Sequence, residues 1–183
     1  MLLYMMSGIL IVLCCSAAVF DLRYRRIPNW LVLLAFSSGL LARGFLGLDA
    51  VLSGLLAAAL AFVFGLLFYL LGGLGAGDVK LMGGLAAFLG LEGLLTGLAV
   101  MAAVGVLMAL FGIWRAGVVR RTFRNLFLFF LTLGKDSFRG FRGEGVMATL
   151  STDGAPPVRS PFGVAVAAGA IAGWFAPLSG WAL

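Results

Sequence analysis

The sequence predicts an all-α polytopic membrane protein with six transmembrane helices. It also predicts an amphipathic helix lying on the cytoplasmic surface between spans five and six. Three observations carry this reading. The first is composition: 63% of the 183 residues are hydrophobic and 11% are charged. A soluble domain of this size cannot hide that much apolar surface, so the solvent is lipid. The second is segregation: the few charges gather between long apolar runs. The third is the side on which the basic residues fall once those runs are laid across a bilayer.

The runs, in order, cover about 2–20, 30–48, 50–74, 79–91, 93–113 and 161–182 in one domain, 1–183. The first has no positive charge before it and Arg23, Arg25 and Arg26 after it. That pattern fits a retained span rather than a removable signal peptide. The second is marred only by Arg43 near its end. The third ends in Gly72–Asp78, GGLGAGD, which breaks the apolar pattern.

Residues 79–113 decide the topology. If they cross twice, turning around Glu92, 12 of the 13 basic residues lie inside and only Arg43 lies outside. If they cross once, 4 are inside and 9 outside. Basic loops belong on the cytoplasmic side, so six spans are predicted, with both termini outside. Thirty-five residues reach about 52 Å as helix, whereas two full crossings and a turn need about 60 Å. Spans four and five must therefore be short: either the bilayer thins locally, or the Asp78 end sits recessed in protein-lined space.

Residues 114–160 form the predicted cytoplasmic segment. Within it, 114–133 mixes arginines with aromatics, and its apolar stretch 126–133 is too short to cross; this suits an interfacial helix. The Gly, Ser, Asp and Pro156-Pro157 content of 134–160 reads as a loop. The net charge of +6 is accounted for by cytoplasmic loops. Anionic lipid, not nucleic acid, is the partner it implies.

Composition also narrows the chemistry. There is no histidine, which excludes Ser-His-Asp, Cys-His and histidine-zinc sites. Cys14 and Cys15 are adjacent, cannot bridge each other and form no C-x-x-C pair. Neither a metal nor a cofactor is expected. Carboxylates, lysine, serine and tyrosine remain.

Two carboxylates stand out. Asp21 closes the first span just before Arg23–Arg26 and Ile27-Pro28-Asn29, where proline can start the next helix. Alone, it reads as a solvated boundary acid. Asp78 lies in Gly75-Ala76-Gly77-Asp78-Val79-Lys80. The glycines permit close approach of another backbone, such as an extended substrate; alone, Asp78 reads as an acidic N-cap. The Walker and dinucleotide patterns both fail here. The pair carries more than either member. Spans two and three separate the aspartates, and an even number of crossings returns both to the cytoplasmic face. Two carboxylates held within a few Å share a proton, and such a pair can activate water and protonate an oxyanion without a metal.

The elements Asp21…Ile27-Pro28-Asn29, Gly75-x-Gly77-Asp78-Val79-Lys80 and Pro161-Phe162-Gly163 occur in an order that resembles the type IV prepilin peptidase family of intramembrane aspartic peptidases. The resemblance covers most of the chain. It implies that Asp21 and Asp78 are catalytic, and that Gly75, Gly77, Lys80, Pro28, Asn29, Pro161, Phe162 and Gly163 support the motif or the substrate. It implies a prepilin or pseudopilin substrate, cleaved behind a short basic leader at the inner membrane's cytoplasmic face. The absence of cysteine pairs and of room for an extra N-terminal domain resembles the short form associated with tight-adherence (Flp-type) pili. Archaeal preflagellin peptidases resemble it more distantly. Cleavage without N-methylation is the expectation.

Two other readings compete. A small transporter or channel subunit could use Asp78 and Glu92 as an ion path, but 50–74 and 93–113 offer almost no polar residues at mid-bilayer depth. A non-catalytic pilus assembly factor would not need both aspartates.

Overall fold

The computed structural model describes residues 2–70, 74–115 and 162–176. Over these residues the chain is all helix: α1 (Leu2–Tyr24), α2 (Asn29–Gly44), α3 (Leu48–Leu70), α4 (Ala76–Arg115) and α5 (Gly163–Phe175). Residues 1–107 and 161–183 form one compact unit. Residues 108–160 form another, described only over 108–115, where the Phe111 and Trp114 rings lie 6.0 Å apart. The surface helix expected within 114–160 lies outside the described residues from 116 onward, as does Pro161.

Three stretches are long and apolar enough to cross a membrane: Leu3–Tyr24, Leu48–Leu70 and Ala76–Phe111. Their outward residues, such as Val12, Leu52, Leu67 and Leu107, are exposed leucines and valines, as lipid requires. The second apolar run is shorter than its composition suggests. α2 stops at Gly44 rather than 48, and α3 starts at Leu48. Gly47, with φ of +119°, makes the break. Asp49, between the second and third apolar runs, occupies the first turn of α3, where the helix dipole favours an acid.

α4 doubles back on itself. Gly90 adopts φ 63° and ψ −172°, which no helix accommodates. Leu89, just before the bend, packs onto Gly97 beyond it, its Cδ2 2.7 Å from where a Cβ would stand. Met82 and Met101 line one small apolar cavity with Ala61 and Leu85, although a straight helix would hold them about 28 Å apart. The turn is therefore at Gly90, and Glu92 belongs to the first turn of the return arm.

The short outgoing arm is the centre of the bundle. Val79 and every residue from 81 to 90 are buried. Glycines bring its neighbours close. Gly84 faces the Val32 carbonyl and Ala35 of α2; Gly83 faces the Ala58 carbonyl and Phe62 of α3. α5 crosses the return arm where Gly169 and Gly173 meet Gly97 and Gly93 backbone to backbone. Membrane helices associate through such small residues because lipid supplies no hydrophobic drive between them. At the other side of α5, Trp174 Nε1–H donates to Ser7 Oγ of α1 at 2.8 Å.

One buried charge locks the turn. Arg43, 7% exposed, donates from Nε to the Phe88 carbonyl at 3.0 Å and from Nη1 to the Ala50 carbonyl at 3.2 Å. Its Nη2 reaches Glu92 Oε2 at 3.3 Å. Ser53 Oγ takes the Leu91 N–H at 3.0 Å on the same corner.

Candidate active site

At the opposite end of the bundle from Arg43, four chain segments converge: the end of α1, the corner before α2, the head of α4 and the head of α5. Each is placed by local chemistry.

Asp21 continues the buried stripe of α1. Met6, Leu10, Cys14 and Ala17 are buried at helical spacing, and Asp21 follows Ala17 by four residues. It is 7% exposed, so it is not the solvated boundary acid its position suggested. α1 ends because Arg25 takes φ of 50°, while the Arg25 N–H closes the last turn on the Asp21 carbonyl at 2.9 Å. Pro28 is then extended (φ −70°, ψ 138°) and is the N-cap of α2; its carbonyl accepts the Leu31 N–H at 3.1 Å. Phe20 braces the corner edge-on against Trp30, with ring centres 5.9 Å apart.

Asp78 lies in the first turn of α4. Gly75 precedes the helix, its carbonyl accepting the Val79 N–H at 3.2 Å. The Gly75 N–H donates to Asp78 Oδ2 at 3.3 Å. Asp78 is thus the third residue of the helix and reaches back to the capping position, rather than being the N-cap itself. A Cβ on Gly75 would stand 2.9 Å from that oxygen, so glycine lets the carboxylate turn back.

The room at Gly77 is occupied. A Cβ there would lie 3.4 Å from Ile27 Cβ, so the Ile27-Pro28-Asn29 corner packs over the glycine turn. The same two segments are joined by Lys80 Nζ–H donating to Asn29 Oδ1 at 3.2 Å. These contacts place the first two motifs against each other.

The third motif joins through Asp21. The Gly163 N–H donates to Asp21 Oδ2 at 2.6 Å. α5 has no side-chain cap of its own. Asp21 supplies one from 142 residues away, a contact worth about 0.5–2 kcal/mol in ordinary helices. Phe162 sets the head of α5 by laying its ring where Gly105 of the return arm has no side chain.

The two carboxylates meet electrostatically: Asp21 acts on Asp78 through its charge, and Arg25 acts on Asp21. Among the described residues, no three or more Asp, Glu, Cys or His side chains gather as metal ligands do.

A family model described as the type IV leader peptidase family matches residues 8–113, more than half of the chain. The chain belongs to the type IV leader peptidase family. No curated protein and no solved structure matched it significantly. As a type IV leader peptidase carrying three long apolar helices, it is a membrane protein and a peptidase by kind. The matched stretch contains Asp21, Asp78 and the glycine turn but stops short of Phe162 and Gly163. The contact of those two with the site therefore comes from the fold.

Sequence reasoning singled out Asp21, Asp78, Gly75, Gly77, Lys80, Pro28, Asn29, Pro161, Phe162 and Gly163; the structure brings the segments that carry the described ones to one end of the bundle. It missed Ile27 as the residue filling Gly77, Gly105 as the seat of Phe162, and Arg43 as the lock at the far end. No pattern signal marks the first two. An arginine inside an apolar run was a visible signal for the third.

Proposed function

We propose that this leader peptidase is an intramembrane aspartic endopeptidase. It removes the short basic leader of prepilins or pseudopilins at the cytoplasmic face of the inner membrane. The observation that carries the reading is the convergence of Asp21 and Asp78, from separate helices, at one end of the bundle within reach of each other's charge. One carboxylate is ionised and takes a proton from water as the water oxygen attacks the scissile peptide carbon. The other donates its proton to the carbonyl oxygen as that oxygen gains the displaced electron pair. Collapse of the tetrahedral intermediate breaks the C–N bond. The proton held by the first carboxylate passes to the leaving amine, and the second carboxylate recovers its proton from the collapsing hydroxyl.

The short outgoing arm supports a recessed site. From Asp78 to the bend at Gly90 the helix rises only about 18 Å, less than the hydrocarbon thickness of about 30 Å. In this proposal six segments cross the membrane, both termini lie outside, and 114–160 follows the cytoplasmic surface. The substrate's leader then meets the dyad where its apolar helix leaves the lipid. Methyl transfer forms no part of the activity.

The ion-path reading has no support in the arrangement, because Glu92 sits with Arg43 at the far end from Asp78. The test is co-expression of Asp21→Asn or Asp78→Asn with a cognate prepilin. Each substitution is expected to abolish the mobility shift of the processed pilin while membrane insertion persists. Processing by either variant at the wild-type level would refute the mechanism.

A further inference from the structure

We propose that Gly163 is a positioning residue for this reaction, holding Asp21 in place by its main-chain N–H and by its lack of a side chain. The inference rests on the reading of Asp21 and Asp78 as the reacting pair, and adds α5 to the machinery.

Two independent features of Gly163 act on the same carboxylate. The first is a donor. A helix leaves its first N–H groups unbonded, and that of Gly163 donates to Asp21 Oδ2 at 2.6 Å. A carboxylate so held loses freedom to rotate, which a base or acid acting on a bound water must lose in any case. The second is space. A Cβ on Gly163 would stand 2.8 Å from Asp21 Oδ2 and 3.0 Å from both its Cβ and its Cγ. No rotation of a methyl group relieves three such contacts, so the aspartate has to move.

The head of α5 is itself fixed. Phe162, the N-cap residue, rests on Gly105, where a Cβ would stand 2.8 Å from the ring Cζ. Farther along, the Gly169–Gly97 and Gly173–Gly93 crossings and the Trp174–Ser7 bond hold the helix along its length. The donor is thus presented by a helix packed along its length, while the acceptor lies in the last turn of α1, before the Ile27-Pro28 corner. The charged groups acting on Asp21 are Arg25 one turn on and Asp78 of α4; the described part of α5 carries no ionisable side chain.

The experiment is Gly163→Ala, assayed with a cognate prepilin in reconstituted membranes. A misplaced reacting group costs about 100-fold in rate for about 1 Å of displacement, so kcat is expected to fall about 100-fold with KM within twofold of wild type. Asp21→Asn and Asp78→Asn run alongside. If either of those cleaves at the wild-type rate, the aspartic dyad falls. If both are inactive and Gly163→Ala keeps its full kcat, only the positioning role falls. Stability gives a second readout. Gly163→Ala is expected to lower the melting temperature when Asp21 is present and to lower it much less in an Asp21→Ala background, where the colliding Oδ2 and Cγ are gone and only the Cβ contact remains. Equal destabilisation in both backgrounds would assign Gly163 to helix packing alone and overturn the proposal.

Discussion

Replacing Arg43 should cost far more than replacing the acid it pairs with. The side chain makes three bonds, two of them to the main-chain carbonyls of Phe88 and Ala50 at 3.0 and 3.2 Å. Bonds from a charged donor are worth about 1.5–3 kcal/mol each, so these two come to about 3–6 kcal/mol. The third goes to Glu92, whose side chain is 62% exposed. An ion pair with so exposed a partner contributes about 0–1 kcal/mol. Arg43→Ala is therefore expected to destabilise by about 3–6 kcal/mol, and Glu92→Gln by about 1 kcal/mol or less. The arginine stem also packs on Gly54, where a Cβ would lie 2.7 Å from its Cδ. Arg43→Met keeps that stem and isolates the bonds; it should recover only a minor part of the loss. Reversible unfolding in mixed micelles, followed by far-UV circular dichroism, measures all three. Equal losses from Arg43→Ala and Glu92→Gln, or wild-type stability in Arg43→Met, would refute the reasoning.

Two further outcomes follow from single bonds. Trp174→Phe and Ser7→Ala each remove the bond from Trp174 Nε1–H and should cost about 0.5–1.5 kcal/mol. The double variant should lose no more than the larger single loss, and strict additivity in thermal melts would contradict the bond. Asn29 and Lys80 are both exposed, so a double-mutant cycle through Asn29→Ala and Lys80→Ala should return a coupling of about 0.2–1 kcal/mol. A coupling above about 2 kcal/mol would show that the pair is shielded from solvent in a way its exposure denies.

Much of the site was legible because lipid punishes the residues that build it. A carboxylate, a proline or a glycine cluster at the end of an apolar run is conspicuous, and Asp21, Ile27-Pro28-Asn29 and Gly75–Lys80 stood out for that reason. The bend in 79–113 was legible from charge alone, although it was placed at Glu92 and falls at Gly90. A glycine among many glycines does not announce a positive φ, whereas a charge in an apolar run does. Arg43 showed itself as a blemish, but its two carbonyl partners lie 45 and 7 residues away, and no local pattern reports them.

What the amino-acid sequence determined by itself is the class of molecule: helices sized for a bilayer, the order of the motifs, and aspartates separated by an even number of apolar runs. What only the tertiary structure decided is which side of each helix faces inward. In water, a buried face differs from an exposed one in polarity, and periodicity reveals it. In lipid, both faces are apolar, so the stripe Met6, Leu10, Cys14, Ala17 and Asp21 carries no compositional mark. The docking of α5 onto Asp21 is hidden for a related reason. The donor is a main-chain N–H, the accommodating feature is a missing side chain, and neither has an identity that a sequence pattern can register until the two helices are packed together.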